Sequence, residues 1–66
     1  MNKYNVEVAD QMLMKAGRLD VEEYEYCCYQ PGQPRKEELA ELLKARFPER
    51  DYEITEQLNG RTIKRV

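Results

Sequence analysis

The chain has 66 residues, of which 41% are hydrophobic and 36% charged, with a formal net charge of −2. A chain this short buries only about 60% of the surface that its unfolded form exposes. We therefore expect one small domain spanning 1–66, with a thin core that favours a binding module over an enzyme. No apolar run approaches the roughly 18 residues of a membrane span, and no apolar leader is present, which predicts a cytoplasmic protein without membrane contact.

The cysteine content and the net charge limit the kinds of binding or catalytic site that the chain can form. The two cysteines, Cys27 and Cys28, are adjacent and the chain has no histidine, which argues against a disulfide framework and against a zinc site. We expect no catalytic residues, no metal and no cofactor. The acidic balance also makes the chain a poor general binder of polyanions.

The first element is predicted to be a helix over about 5–16. Apolar residues recur at helical spacing and Asn5 is a suitable N-cap.

The stretch 16–28, AGRLDVEEYEYCC, has two interpretations. Asp20 is a good N-cap with Glu23 as its capping-box partner, which predicts a second helix over about 20–29. A strand is the alternative, but alternation along 19–29 then requires a bulge near Glu22–Glu23. The capping signals outweigh this, and we predict the helix.

The segment MKAGRLDVEEYE, residues 14–25, resembles the hairpin motif of SHOCT-type short helical modules and of some small phage tail proteins. The resemblance implies a helical hairpin used for association, and nothing catalytic.

The second half predicts a helix and a β-hairpin. Pro34 is suited to the first position of a helix that runs over about 34–47. The sequence DYEITEQLNGRTIKRV predicts strands at about 51–57 and 61–66 around the turn dipeptide Asn59-Gly60, with a four-residue loop that pairs Ile54 with Ile63. The predicted fold is therefore α+β, with three short helices and a C-terminal hairpin.

The function that we expect first is non-enzymatic binding of another protein. Tyrosine is enriched at interfaces, and Tyr26 and Tyr29 beside Glu22 and Glu25 form the candidate contact surface, while Tyr24 and Tyr52 are assigned to the core. The size resembles that of accessory proteins of phages or other mobile elements. A homo-oligomer formed through the hairpin edge or the helical hairpin is a further possibility.

Two alternative functions would depend on other residues. Three helices and a ribbon resemble a winged helix of the excisionase or repressor type. In that hypothesis DNA phosphates contact five basic residues: Arg35, Lys36, Arg61, Lys64 and Arg65.

The third hypothesis is a redox role. Read as a strand, the sequence YEYC before a proline-started helix ending in RFP resembles the selenoprotein W-like branch of the thioredoxin fold, with Cys27 as the redox residue. The second redox position of that family is Gln30 here, so the pair is absent.

Overall fold

The computed structural model describes residues 3–66 and contains two helices and three strands. In chain order the elements are α1 (Val6–Gly17), β1 (Tyr24–Cys28), α2 (Lys36–Arg46), β2 (Tyr52–Glu56) and β3 (Gly60–Arg65). The fold class is α+β as predicted, but the prediction of three helices is wrong.

The last strand, β3, lies at the centre of a sheet with the order β1-β3-β2. Both neighbours run antiparallel to it, so β1 and β2 run parallel to each other and form the two edges. The core lies between this sheet and the helices. It contains Met12, Leu13, Ala16, Leu19, Cys27, Leu39, Leu43, Ile54 and Ile63.

The predicted second helix at 20–29 is a turn followed by strand β1. The capping residues do meet, since Glu23 Oε1 accepts the Asp20 N–H at 2.8 Å and the Asp20 carbonyl accepts the Glu23 N–H at 3.0 Å. These bonds close a turn instead of opening a helix. The helical hairpin implied by the resemblance over 14–25 is therefore not formed.

The bulge that the strand alternative requires is present at Glu22–Glu23. The Glu22 N–H donates to the Arg65 carbonyl at 2.8 Å, and the Arg65 N–H donates to the Glu23 carbonyl at 2.9 Å. Two residues of one strand thus face one residue of its partner, and Glu22 adopts a left-handed φ of 72°, as in a bulge that commonly uses glycine. The bulge places Cys27 in the core.

The remaining elements follow the predictions closely. Helix α1 is capped by Asn5, whose Oδ1 accepts the Glu7 N–H at 2.8 Å. Helix α2 begins two residues later than predicted, because Arg35 is the N-cap and its N–H donates to Glu38 at 2.9 Å.

The hairpin has the predicted register, with Ile54 opposite Ile63 and a Gln57 N–H that donates to the Gly60 carbonyl at 2.8 Å. Gly60 does not have a positive φ, which among the described residues occurs at Glu22 and Gly32. A glycine is needed at position 60 because β1 approaches it closely: a Cβ there would lie 2.5 Å from the Cys27 carbonyl oxygen.

Substitutions at Glu22 test the bulge. A β-branched residue is strained at this φ, whereas asparagine tolerates it. We expect Glu22→Val to lower the free energy of unfolding by about 1–2 kcal/mol relative to Glu22→Asn, measured by urea denaturation. Both variants lose the carboxylate, so equal stabilities would show that the bulge does not require a left-handed backbone conformation at position 22.

Candidate functional site

One face of the sheet is left open by both helices. Side chains alternate along each strand, and the buried residues Cys27, Ile54 and Ile63 define the face that meets the helices. On the opposite face Tyr24 and Tyr26 remain 66% and 42% exposed. Two aromatic rings of one strand therefore lie on the uncovered side of the sheet.

The surroundings of these tyrosines are polar and mixed in charge. Tyr24 lies opposite Lys64, which in turn lies opposite Glu53, and Lys64 Nζ is 3.4 Å from Glu22 Oε1. The Tyr26 ring lies over Gly60, because a Cβ on Gly60 would be 2.7 Å from the Tyr26 hydroxyl oxygen. The open face, defined as Tyr24, Tyr26, Lys64, Glu22 and Glu53, thus has one cation between two carboxylates.

Strand β1 also presents a free backbone edge. The carbonyl of Glu23 and the N–H of Tyr29 bond to Arg65 and Asn59, so odd-numbered residues direct their backbone groups toward β3. In an antiparallel pair the intervening residues direct theirs away. The N–H and C=O groups of Tyr24 and Tyr26 therefore point outward at the edge of the sheet.

A cleft of about 290 Å³ lies beside this edge, between α1 and the end of β1. Gln11 and Lys15 of α1 line one side, and Cys27, Cys28 and Gln33 line the other. Gln33 Nε2 donates to the Cys28 carbonyl at 2.8 Å, while Gln33 Oε1 is buried without a hydrogen-bond partner. The lining of the cleft therefore combines polar side chains with the apolar surface of Met12 and Cys27.

Cys27 lies in the wall of this cleft with its thiol buried. Desolvation raises the pKa of Cys27 above its ordinary value, although the nearby Lys15 ammonium acts in the opposite direction. A raised pKa keeps the thiol protonated at neutral pH and lowers its nucleophilicity. Cys28, by contrast, is exposed.

Tyr29 and Arg61 form a second cluster on the helix-facing side. Arg61 is only 5% exposed; its guanidinium donates to the Pro34 carbonyl at 2.9 Å and contacts Glu56 at 3.3 Å. Tyr29 donates to the same Glu56 carboxylate at 3.1 Å, and its ring centroid lies 5.3 Å from the Arg61 guanidinium carbon. Partial desolvation and the hydrogen bond to Glu56 raise the pKa of Tyr29. This cluster holds the chain that follows β1 against the sheet.

The four predicted partner-binding residues are not brought together. Tyr26 and Glu22 lie on the open face. Glu25 lies opposite Ile63 on the helix-facing side, and Tyr29 belongs to the Arg61 cluster. Tyr24 belongs to the open face instead of the core, whereas Tyr52 packs against the core and donates to the Ala16 carbonyl at 2.8 Å.

The five basic residues of the winged-helix hypothesis are also dispersed. Arg35 and Lys36 begin α2 and Lys64 lies on the open face, but Arg61 is buried and Arg65 Nη1 donates to the Leu19 carbonyl at 3.1 Å. The second helix of a winged helix is missing. The structure therefore does not assemble these residues into one basic surface.

Sequence reasoning missed Tyr24 and the buried role of Arg61. Alternation of Tyr24 and Tyr26 around Glu25 was the available signal for the open face, once the segment is taken as a strand. The hairpin register indicates that Glu56 lies opposite Arg61, but the local sequence does not mark Arg61 as buried, because its other partners, Pro34 and Tyr29, are remote in the chain.

Comparisons with protein-family models, curated proteins and solved structures find no match. Within residues 3–66 no three histidine, cysteine, aspartate or glutamate side chains cluster as metal ligands. Neither described helix has the length and apolar content to cross a bilayer.

The buried Cys27 thiol makes stability pH-dependent. Because its pKa is raised in the folded state, the unfolded chain loses this proton first as pH increases above the ordinary thiol value of about 8.5. The stabilisation is complete below that pH and is lost as pH rises through the folded pKa. We expect the free energy of unfolding to fall more steeply between about pH 8 and pH 10 in the native sequence than in Cys27→Ala, by urea denaturation.

Alkylation provides the independent control, since iodoacetamide should modify exposed Cys28 quickly and Cys27 only after unfolding. Rapid modification of both thiols in the folded protein, or equal pH slopes, would contradict the burial of Cys27.

Removal of Arg61 should destabilise the fold. Arg61→Leu leaves the Pro34 carbonyl without its donor and the Glu56 carboxylate without its cation, with Tyr29 as its remaining donor, which we expect to lower the free energy of unfolding by about 2 kcal/mol. The matched change Lys36→Leu removes an exposed cation and should cost less than about 0.5 kcal/mol. Thermal denaturation compares the two, and similar melting temperatures would show that Arg61 is not structural.

Proposed function

We propose that this protein is a small non-enzymatic module that binds another protein through the open face of its sheet. The observation that carries this proposal is the exposure of Tyr24 and Tyr26 together on a face that neither described helix covers. A tyrosine ring contributes a large contact area with few rotatable bonds, and its hydroxyl group finds polar partners. Exposed aromatic residues with a polar rim are typical of protein-binding surfaces.

The charges of the open face favour a protein over nucleic acid. Lys64 is paired with Glu22 and faces Glu53 across the strands, so its charge is compensated twice. Binding of phosphates depends on cations that are free to replace counterions. A duplex-binding role therefore has no support from this face, and a protein with a matching mixed-charge surface fits it better.

The chemistry of the cysteines supports a non-enzymatic role. The Cys27 thiol, buried and with a raised pKa, lacks the thiolate character of a redox or nucleophilic cysteine. A connection to phages or mobile elements stays a prediction.

Affinity capture with a matched pair of variants tests the proposal. Tyr24→Ser removes the most exposed ring of the open face, whereas Leu58→Ser removes a large apolar side chain that is 92% exposed in the hairpin loop. Loss of an aromatic hot spot weakens binding about tenfold or more. We expect nuclease-treated lysate of the source organism to yield a protein that binds the native chain and Leu58→Ser, and binds Tyr24→Ser at least about tenfold more weakly.

Two results would overturn the proposal. Captured material that disappears on nuclease treatment would indicate binding to nucleic acid. Equal binding by Tyr24→Ser and the native chain would exclude the open face as the binding surface. Circular dichroism of both variants confirms that the fold is kept.

A further inference from the structure

The edge of β1 contains neither lysine nor proline, and its other protection is limited to the bulge at Glu22–Glu23 and the Gln33 contact at its two ends and to the inward charge of Glu25. Edge strands are commonly protected by lysine, proline or a covering segment, and β1, with the sequence YEYCC, has neither residue. The backbone groups of Tyr24 and Tyr26 point outward, and the cleft beside them leaves space between β1 and α1. This cleft therefore lies along the edge of the sheet, next to β1.

The positions of the charges on β1 select one symmetric pairing. A two-fold pairing centred on Tyr24 places Glu25 opposite Glu23 of the second copy, and a pairing centred on Glu25 places it opposite itself. Like charges directly opposite each other are destabilising. A pairing centred on Tyr26 instead sets Glu25 opposite Cys27 and Tyr24 opposite Cys28.

The pairing centred on Tyr26 also gives the longest contact. It overlaps all five residues of β1 with all five of its copy, whereas a pairing centred on Cys27 overlaps three. It joins outward-pointing backbone groups, as an antiparallel ladder requires. The Cys28 carbonyl accepts one bond from Gln33 and retains a second lone pair for the incoming Tyr24 N–H.

Lys15 provides charge complementarity for this pairing. Among residues 3–66 the ion pairs use Lys44, Arg46, Arg61 and Lys64, and Lys15 is in none of them. Lys15 lines the cleft beside Cys27, which is where the pairing centred on Tyr26 brings Glu25 of the second copy. Two-fold symmetry forms this ion pair twice.

We propose that β1 pairs antiparallel with β1 of a second copy of this chain, centred on Tyr26, to form a continuous six-stranded sheet. The two open faces then combine, with four tyrosines on one side. A second copy is favoured over an unrelated peptide because the chain itself contains the strand whose acidic residue matches Lys15. This pairing uses the edge of β1 and is independent of a different protein on the open face.

Sedimentation equilibrium with a charge reversal tests this pairing. The native chain should form a dimer between about 10 μM and 1 mM, the range in which small interfaces dissociate. Glu25→Lys and Lys15→Glu should each raise the dimer Kd about tenfold, because each converts two attractions into repulsions. The double variant Lys15→Glu/Glu25→Lys restores both pairs and should return the Kd to within about threefold of the native value.

The matched control is Glu49→Lys, which makes the same charge change at an exposed position outside both β1 and the open face and should leave the Kd unchanged. In the dimer, hydrogen exchange of the Tyr24 and Tyr26 amides should slow. A native chain that stays monomeric at about 1 mM, or a dimer that Glu25→Lys does not weaken, overturns the pairing. A monomer that still captures a protein through Tyr24 leaves the proposed function intact, so the two failures are distinguishable.

Discussion

Strand β3 is hydrogen-bonded on both sides, and the architecture depends on this double pairing. Its odd-numbered residues bond to β1 and its even-numbered residues bond to β2. The same residues, Ile63 and Arg61, send their side chains to the helix-facing side, where they join the core and the Glu56–Tyr29 cluster. Because β3 occupies the centre, the edges of the sheet belong to β1 and β2, and the helices leave one face uncovered.

The elements that sequence reasoning predicted well are those decided by neighbouring residues. The cap at Asn5 and the pairing of Ile54 with Ile63 depend on contacts within a few residues, or on a turn that fixes the register. The end of α2 at Arg46, one residue before the predicted end, has the same local origin. For such elements the local pattern contains most of the relevant free energy.

The segment 20–29 shows where local reasoning stops. Asp20 and Glu23 form one of the two bonds of the predicted capping box, from the Asp20 N–H to the Glu23 carboxylate. The Glu23 N–H donates to the backbone carbonyl of Asp20 and not to its side chain, which closes a turn. The choice is made by β3, about 40 residues later in the chain, which offers a ladder of backbone partners and a place in the core for Cys27. Only the alternation of Tyr24 and Tyr26 around Glu25 indicated the open face, and the burial of Arg61 depends on Pro34 and Tyr29, which are distant in the sequence.

The central place of β3 also has a consequence for the order in which the fold is made. During synthesis β1 and β2 emerge from the ribosome before the strand that joins them, and they do not pair with each other. The sheet cannot form until residues 60–65 have emerged from the ribosome. Folding is therefore expected to follow the emergence of β3 instead of proceeding from the amino terminus. Until then α1 is the element that covers β1, and the backbone of this strand lacks its partner on β3.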